Sequence, residues 1–201
     1  MNREEIKLIV GKLQATRERN MVIIDYGNVQ KWEQSLGWKI GIKELGTLVK
    51  NFSIGKQLLR RFYYGSDFGP NDNSIEMISW SKMILDKANW NKFDIVTKRV
   101  KYIHNSDYRI GFVKKCDLDV EIAIDLIKNV NEYDTLILFS GDGDMAYVAR
   151  YLKEKYNKNI YVFGARNHVG KEIYDAKLGK IIDEILYTED FEYRLDMHRF
   201  K

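Results

Sequence analysis

With 201 residues, 45% hydrophobic and 31% charged, the chain has the length and composition of one soluble globular domain, and global disorder is excluded. A single cysteine, Cys116, excludes an intrachain disulfide. The charged N-terminus, Met1-Asn2-Arg3-Glu4-Glu5, has no long apolar segment behind it, so a cytoplasmic protein is expected rather than a secreted or membrane-bound one.

Residues 3–18 predict an amphipathic helix with Ile6, Ile9, Val10 and Leu13 on one stripe. Met21-Val22-Ile23-Ile24 is a short buried strand ending at Asp25, where Gly27 is expected to let the chain turn sharply. Residues 42–51 read as helix, 56–64 as a second strand, Gly65 to Asn73 as a loop and 74–89 as a helix. Residues 93–103 predict a third strand, alternating in its second half, and 104–113 an irregular segment. An apolar helix over 118–130 is followed by a fourth strand, Thr135 to Phe139. A helix over 145–156, a fifth strand from Asn159 to Phe163 and a mixed tail over 170–201 complete the chain. Strands alternating with helices predict an α/β fold, a three-layer α/β/α sandwich with a central, mostly parallel sheet. One proline, Pro70, and the lack of any low-complexity linker or repeat give no internal boundary.

The net charge of +4 permits nucleic-acid binding without demanding it, but the signs segregate. Carboxylates crowd three motifs. In Ile24-Asp25-Tyr26-Gly27-Asn28 an aspartate follows a buried strand, where open parallel sheets bind ligands, and Asn28 can reach the same place. In Phe139-Ser140-Gly141-Asp142-Gly143-Asp144-Met145 two carboxylates stand one glycine apart, allowing close approach and unusual backbone angles. Their mutual repulsion calls for a proton or a divalent cation, and hard oxygen ligands suit magnesium or manganese. In Cys116-Asp117-Leu118-Asp119-Val120-Glu121-Ile122-Ala123-Ile124-Asp125, helical spacing turns Asp119 inward with Ala123 and Leu126, while Glu121, Asp125 and Lys128 share a polar arc. Singly, each motif is also what a cap or solvated turn looks like. Together they would meet at one edge of one sheet.

These three motifs, in this order and spacing, resemble the NYN domain family of PIN-like nucleases, most nearly its LabA-like branch, over residues 20–187. The resemblance implies a PIN-like (Rossmann-like) topology, an acidic metal site and RNA hydrolysis. Asp25 matches the first-strand aspartate and Asn28 its companion. Asp119 matches the helix-start aspartate and Asp125 the second aspartate of that motif. Ser140, Asp142 and Asp144 match the family's Ser-Gly-Asp-x-Asp. The chain departs at Met145, where the family has phenylalanine, and at Cys116, where it has glycine; neither removes a carboxylate. Residues 1–19 form an N-terminal helical extension and 188–201 a C-terminal tail outside the family domain.

Under this resemblance Asp25, Asp119, Asp142 and Asp144 are catalytic and hold one or two Mg2+ or Mn2+ ions, supported by Asn28, Ser140 and Asp125. RNA, single-stranded or structured, is the implied partner and a membrane is not; a homo-oligomer is left open. The basic residues Lys98, Arg99, Lys101, Arg109, Lys114 and Lys115, interleaved with Tyr102, Tyr108 and Phe112, suit phosphate neutralisation and base stacking, and suit equally a solvated edge hairpin of 97–103 against 108–114. Arg166 and His168 are weaker candidates, and Lys56, Arg60 and Arg61 read as strand surface. His104, His168 and His198 fall outside the motifs. A haloacid-dehalogenase-like phosphatase wants an aspartate where Gly27 stands, a response-regulator receiver wants an acidic pair on its first strand, and a Toprim domain wants a glutamate in the first motif. The standing alternative is a non-catalytic NYN-fold RNA-binding or regulatory protein.

Overall fold

Hydrophobic periodicity sets the order of elements. The computed structural model describes residues 3–15, 19–52, 58–71, 73–104 and 111–198. Helix α1 (Arg3–Ala15) precedes strand β1 (Asn20–Asp25), which runs directly into α2 (Tyr26–Leu36). Then come α3 (Ile42–Lys50), β2 (Leu58–Ser66), α4 (Ser79–Trp90) and β3 (Asp94–Arg99). A small hairpin, β4 (Lys101–His104) and β5 (Phe112–Lys115), leads to α5 (Asp119–Lys128). The chain continues through β6 (Thr135–Phe139), α6 (Met145–Tyr156), β7 (Asn159–Gly164), α7 (Lys171–Leu178) and β8 (Glu184–Tyr187). It closes with a 3-10 turn, Thr188–Phe191, and a short helix, α8 (Glu192–Leu195).

Six strands form one sheet in the order β3-β2-β1-β6-β7-β8, every neighbouring pair parallel. A parallel sheet has to be covered on both faces, and its central strands are accordingly apolar throughout. On β1 successive side chains alternate between two cores. Val22 and Ile24 pack with Val10, Trp32, Leu48, Ile84 and Leu195 from α1, α2, α3, α4 and α8. Met21 and Ile23 pack with Ile122, Leu152 and Ile173 from α5, α6 and α7. The result is a three-layer α/β/α sandwich.

Both chain ends belong to the first core. Ile6, Val10 and Leu13 of α1 and Phe191 and Leu195 near the C-terminus are almost completely buried. Each such side chain contributes about 1.5–3 kcal/mol by leaving water. The Gly41 amide donates to the Leu195 carbonyl at 3.0 Å, and Ile40 bridges Asp196. Among the described residues no helix is long and apolar enough to cross a membrane.

Four expectations need correction. No turn follows Asp25: Gly27 lies in the first turn of α2 without a positive φ. The third strand does not run to residue 103. β3 follows β2 only as far as the Arg99–Ser66 pair, where β2 ends. The Val100 amide then donates to the Ser66 carbonyl and the chain leaves the sheet. The alternation beyond that point belongs to the antiparallel β4–β5 hairpin, which pairs 101–104 with 112–115. Finally, α4 begins at Ser79 rather than 74, and the tail supplies a sixth parallel strand, β8. Residues 16–18, at the end of the first predicted helix, and Lys56 lie outside the described residues.

Candidate active site

The site grows from the register of β1 and β6. Ile24 pairs with Phe139, so the next residues, Asp25 and Ser140, stand abreast at the carboxyl ends of neighbouring strands. The chain passes from β1 to β2 on one side of the sheet and returns at β6 on the other, the switch point where open α/β sheets form a crevice. Ser140 Oγ donates to Asp25 Oδ2 at 3.0 Å and accepts the Asp142 amide at 3.2 Å. Asp25 Oδ1 caps α2 by accepting the Asn28 amide at 3.2 Å. Asn28 Oδ1 accepts from the Gly141 amide at 3.0 Å and from Trp32 Nε1 at 2.9 Å. Asn28 therefore brackets the two acidic motifs together, with the buried Trp32 as its anchor.

The glycines of the second motif serve close approach, not unusual angles, since neither has a positive φ. A Cβ on Gly141 would lie 1.8 Å from the His168 carbonyl oxygen. The Gly170 amide donates to the Gly141 carbonyl at 2.8 Å. The loop after β7 thus buttresses Ser140–Asp144, and His168 contributes its backbone. Within the loop the Asp144 amide donates to Asp142 Oδ1 at 3.1 Å, and Asp144 opens α6.

Asp119 starts α5, its amide held by Asp117 Oδ1 at 3.0 Å. Burial, and then the charges of Asp117, Asp142 and Asp25, push its carboxyl up to about 7. Asp25 is also raised, chiefly by burial. The Asn28 amide and the Ser140 hydroxyl oppose the rise, Asp142 adds to it, and Lys31 opposes it. Three carboxylates from three distant motifs therefore feel one another electrostatically.

Asp25, Asp119, Asp142 and Asp144 all line one cleft of about 630 Å³, within the usual size for ligand sites. Among the described residues no three His, Cys, Asp or Glu side chains are disposed to hold a metal ion. The donor chemistry, hard carboxylate oxygens that repel one another, suits a divalent cation.

Asp125 is not part of the cleft. On α5 it lies six residues, nearly two turns, beyond Asp119. It accepts Tyr63 Oη at 2.6 Å and pairs with Arg61 Nε at 3.2 Å, so it ties α5 to β2. Arg61 also pairs with Asp94 at 3.1 Å and is a structural cation rather than strand surface.

The basic cluster divides. Lys98 pairs with Glu121 at 2.7 Å, and Arg99 lies 4.7 Å over the Phe68 ring. Lys101 is exposed on the hairpin, away from the cleft lining. Lys114 and Lys115 line the cleft. Tyr108 and Arg109 lie outside the described residues. Arg166 sits 4.1 Å over the Tyr187 ring and pairs with Asp190, so it is committed elsewhere.

Among the cleft residues given no role from the sequence are Lys31, Asp67 and Trp80, and Asp117, quoted in the third motif, was given none of its own. Asp67 is the hub of the cleft wall. Its buried carboxylate accepts Tyr102 Oη at 2.7 Å and Lys114 Nζ at 2.8 Å. Burial opposes its charge, but these bonds and the Gly69 amide outweigh burial and hold the carboxyl below its usual range. Asp67 follows a strand just as Asp25 does, and that was the available signal.

Residues 19–183 match the model of the NYN domain. The chain belongs to the NYN domain family. NYN domains form a PIN-like nuclease family, and membership points to RNA-related work. Over 84 residues this NYN protein is 31% identical to the low amplitude and bright protein LabA of Synechococcus elongatus, covering 42% of this chain and 45% of that protein. The match thus spans less than half of this curated relative. A crystal structure of a protein of unknown function from Vibrio parahaemolyticus shares the fold, with a TM-score of 0.61 at 19% identity over 85% of this chain and 92% of that one.

Proposed function

We propose that this NYN protein is a divalent-metal-dependent ribonuclease that hydrolyses RNA phosphodiester bonds internally. The carrying observation is the meeting of Asp25, Asp119, Asp142 and Asp144 in one cleft, with Asp119 pushed up to about 7 by burial and by its acidic neighbours. These four side chains would hold Mg2+ or Mn2+, which when bound supplies an activated water and relieves charge on the phosphate. Ser140 and Asn28 fix Asp25 and the Gly141 loop in relation to each other. Lys31 and Lys115 stand at the edge of the acidic floor, where positive charge attracts a polyanion, and Lys114 lies beside them paired with Asp67. The catalytic unit is assigned to residues 20–187, with 1–19 and 188–201 as additions.

One observation favours a second reading, a non-catalytic RNA-binding or regulatory protein: the carboxylates do not close on a common point. Incubation of purified protein with labelled single-stranded and structured RNAs, with manganese or with chelator, separates the two. Cleavage is expected only with metal, and Asp25→Asn and Asp142→Asn are expected to remove it while keeping the fold. Cleavage by either variant at the wild-type rate overturns the assignment, and contaminating ribonuclease is recognised by the same comparison.

A further inference from the structure

Trp80 is the second residue of α4, a helix that turns Ser81, Ile84 and Ala88 into the core. A position one residue before Ser81 falls about 100° away on the helix surface, off that buried face. Trp80 is 55% exposed and lines the same cleft as the four carboxylates. Exposure alone says little, because Trp90 and Tyr147 are more exposed and stand outside the cleft. Trp80 differs in its location and in how it is held.

The start of α4 is pinned by Asp67. The Ile78 amide donates to the Asp67 carbonyl at 2.9 Å, and the Asp67 amide donates to Ser81 Oγ at 3.0 Å. The Asp67 carboxylate meanwhile holds Lys114 at 2.8 Å. One residue therefore fixes both the start of α4 and the position of Lys114 at the cleft. Among the described residues, no aromatic ring packs against the Trp80 indole.

We infer that Trp80 is a stacking platform for an unpaired base of the bound RNA. Base stacking needs an accessible ring face and tolerates any sequence, because every base has a π-face. Inside a duplex both faces of each base are covered by neighbours, so only an unstacked base can lie on Trp80. This inference rests on the RNA-cleavage reading for the identity of the ligand, and its test does not require cleavage.

The experiment is equilibrium binding in chelator, where RNA stays intact, using labelled oligo(U), oligo(A) and an RNA duplex of equal length. Wild type is compared with Trp80→Ala, Trp80→Phe and Trp80→Leu. Trp80→Ala is expected to bind both single strands about tenfold more weakly and the duplex unchanged. Trp80→Phe should retain most of the affinity, and Trp80→Leu should fall with Trp80→Ala, because leucine offers apolar area without a flat ring. Wild-type affinity in Trp80→Ala, or full rescue by Trp80→Leu, overturns the stacking role. Trp80-dependent binding without manganese-dependent cleavage overturns the ribonuclease reading alone. Cleavage with Trp80-independent binding overturns this inference alone.

Discussion

Replacing Asp119 with asparagine tests the electrostatic core of the site. Its carboxyl titrates near 7 in the folded protein against an ordinary 3.8, through burial and the charges of Asp117, Asp142 and Asp25. A raised acid pKa means that the fold disfavours the charged form. That destabilisation is absent below about pH 4, grows as pH rises and is complete above about pH 7. At about 1.36 kcal/mol per pH unit the full shift would amount to about 4 kcal/mol. The side chain is half in water, and screening reduces this to about 1–2 kcal/mol. Asparagine imitates the protonated acid, since its NH2 can donate to Asp117. In chelator at pH 8, Asp119→Asn should therefore melt about 2–8 °C above wild type, at about 2–4 °C per kcal/mol for a chain of this size. The gap should close by pH 4. Manganese should raise the wild-type Tm, by up to about 2.7 kcal/mol of stabilisation at a hundredfold excess over Kd, and raise that of the variant much less. Thermal melts of both proteins at pH 4, 6 and 8, with chelator and with manganese, measure all of this. A variant that melts below wild type at pH 8, or by the same difference at every pH, refutes the reasoning.

Gly141→Ala should lower Tm by 5 °C or more and remove cleavage, because its Cβ would meet the His168 carbonyl oxygen at 1.8 Å and backbone cannot give way cheaply; an unchanged melt by differential scanning calorimetry would show that the two loops are not locked. Lys115→Ala should flatten the log–log salt dependence of RNA binding by about one unit, whereas Lys98→Ala, whose ammonium already pairs with Glu121, should change it much less. Equal slopes for the two variants would place the RNA elsewhere.

What the sequence discloses depends on how far each signal reaches along the chain. The runs Met21–Ile24, Leu136–Phe139 and Ile160–Phe163 are apolar at every position, as fully buried parallel strands must be, so they were legible. Asp25, Asp142 and Asp144 were legible because each follows such a run. Helix α2 was hidden by Gly27, whose propensity argues for a turn; its start is set locally by the Asp25 side-chain cap, and its seat by the burial of Trp32, a tertiary fact. The break at Val100 was hidden because the alternation continues across it, and only the end of β2 at Ser66 says where β3 must stop. Asp125 shares its helix with Asp119, and what separates their roles is Arg61 and Tyr63 on another strand. Asp67 follows a strand but stands in no acidic motif, and Trp80 carries no signal at all. They matter only because the fold carries α4 and the β4–β5 hairpin to the same cleft.

The bond between Ser140 and Asp25 joins residues 115 apart in sequence. A ribosome adding about 5–20 residues per second leaves roughly 6–23 s between making the first partner and making the second. Throughout that interval Asp25 exists without the neighbours that raise its proton affinity or complete the cleft. The loop of Asp142 in turn waits for Gly170, whose amide holds Gly141. A nascent chain therefore has no assembled cleft, and whatever chemistry the four carboxylates support is deferred until Gly170 has left the ribosome.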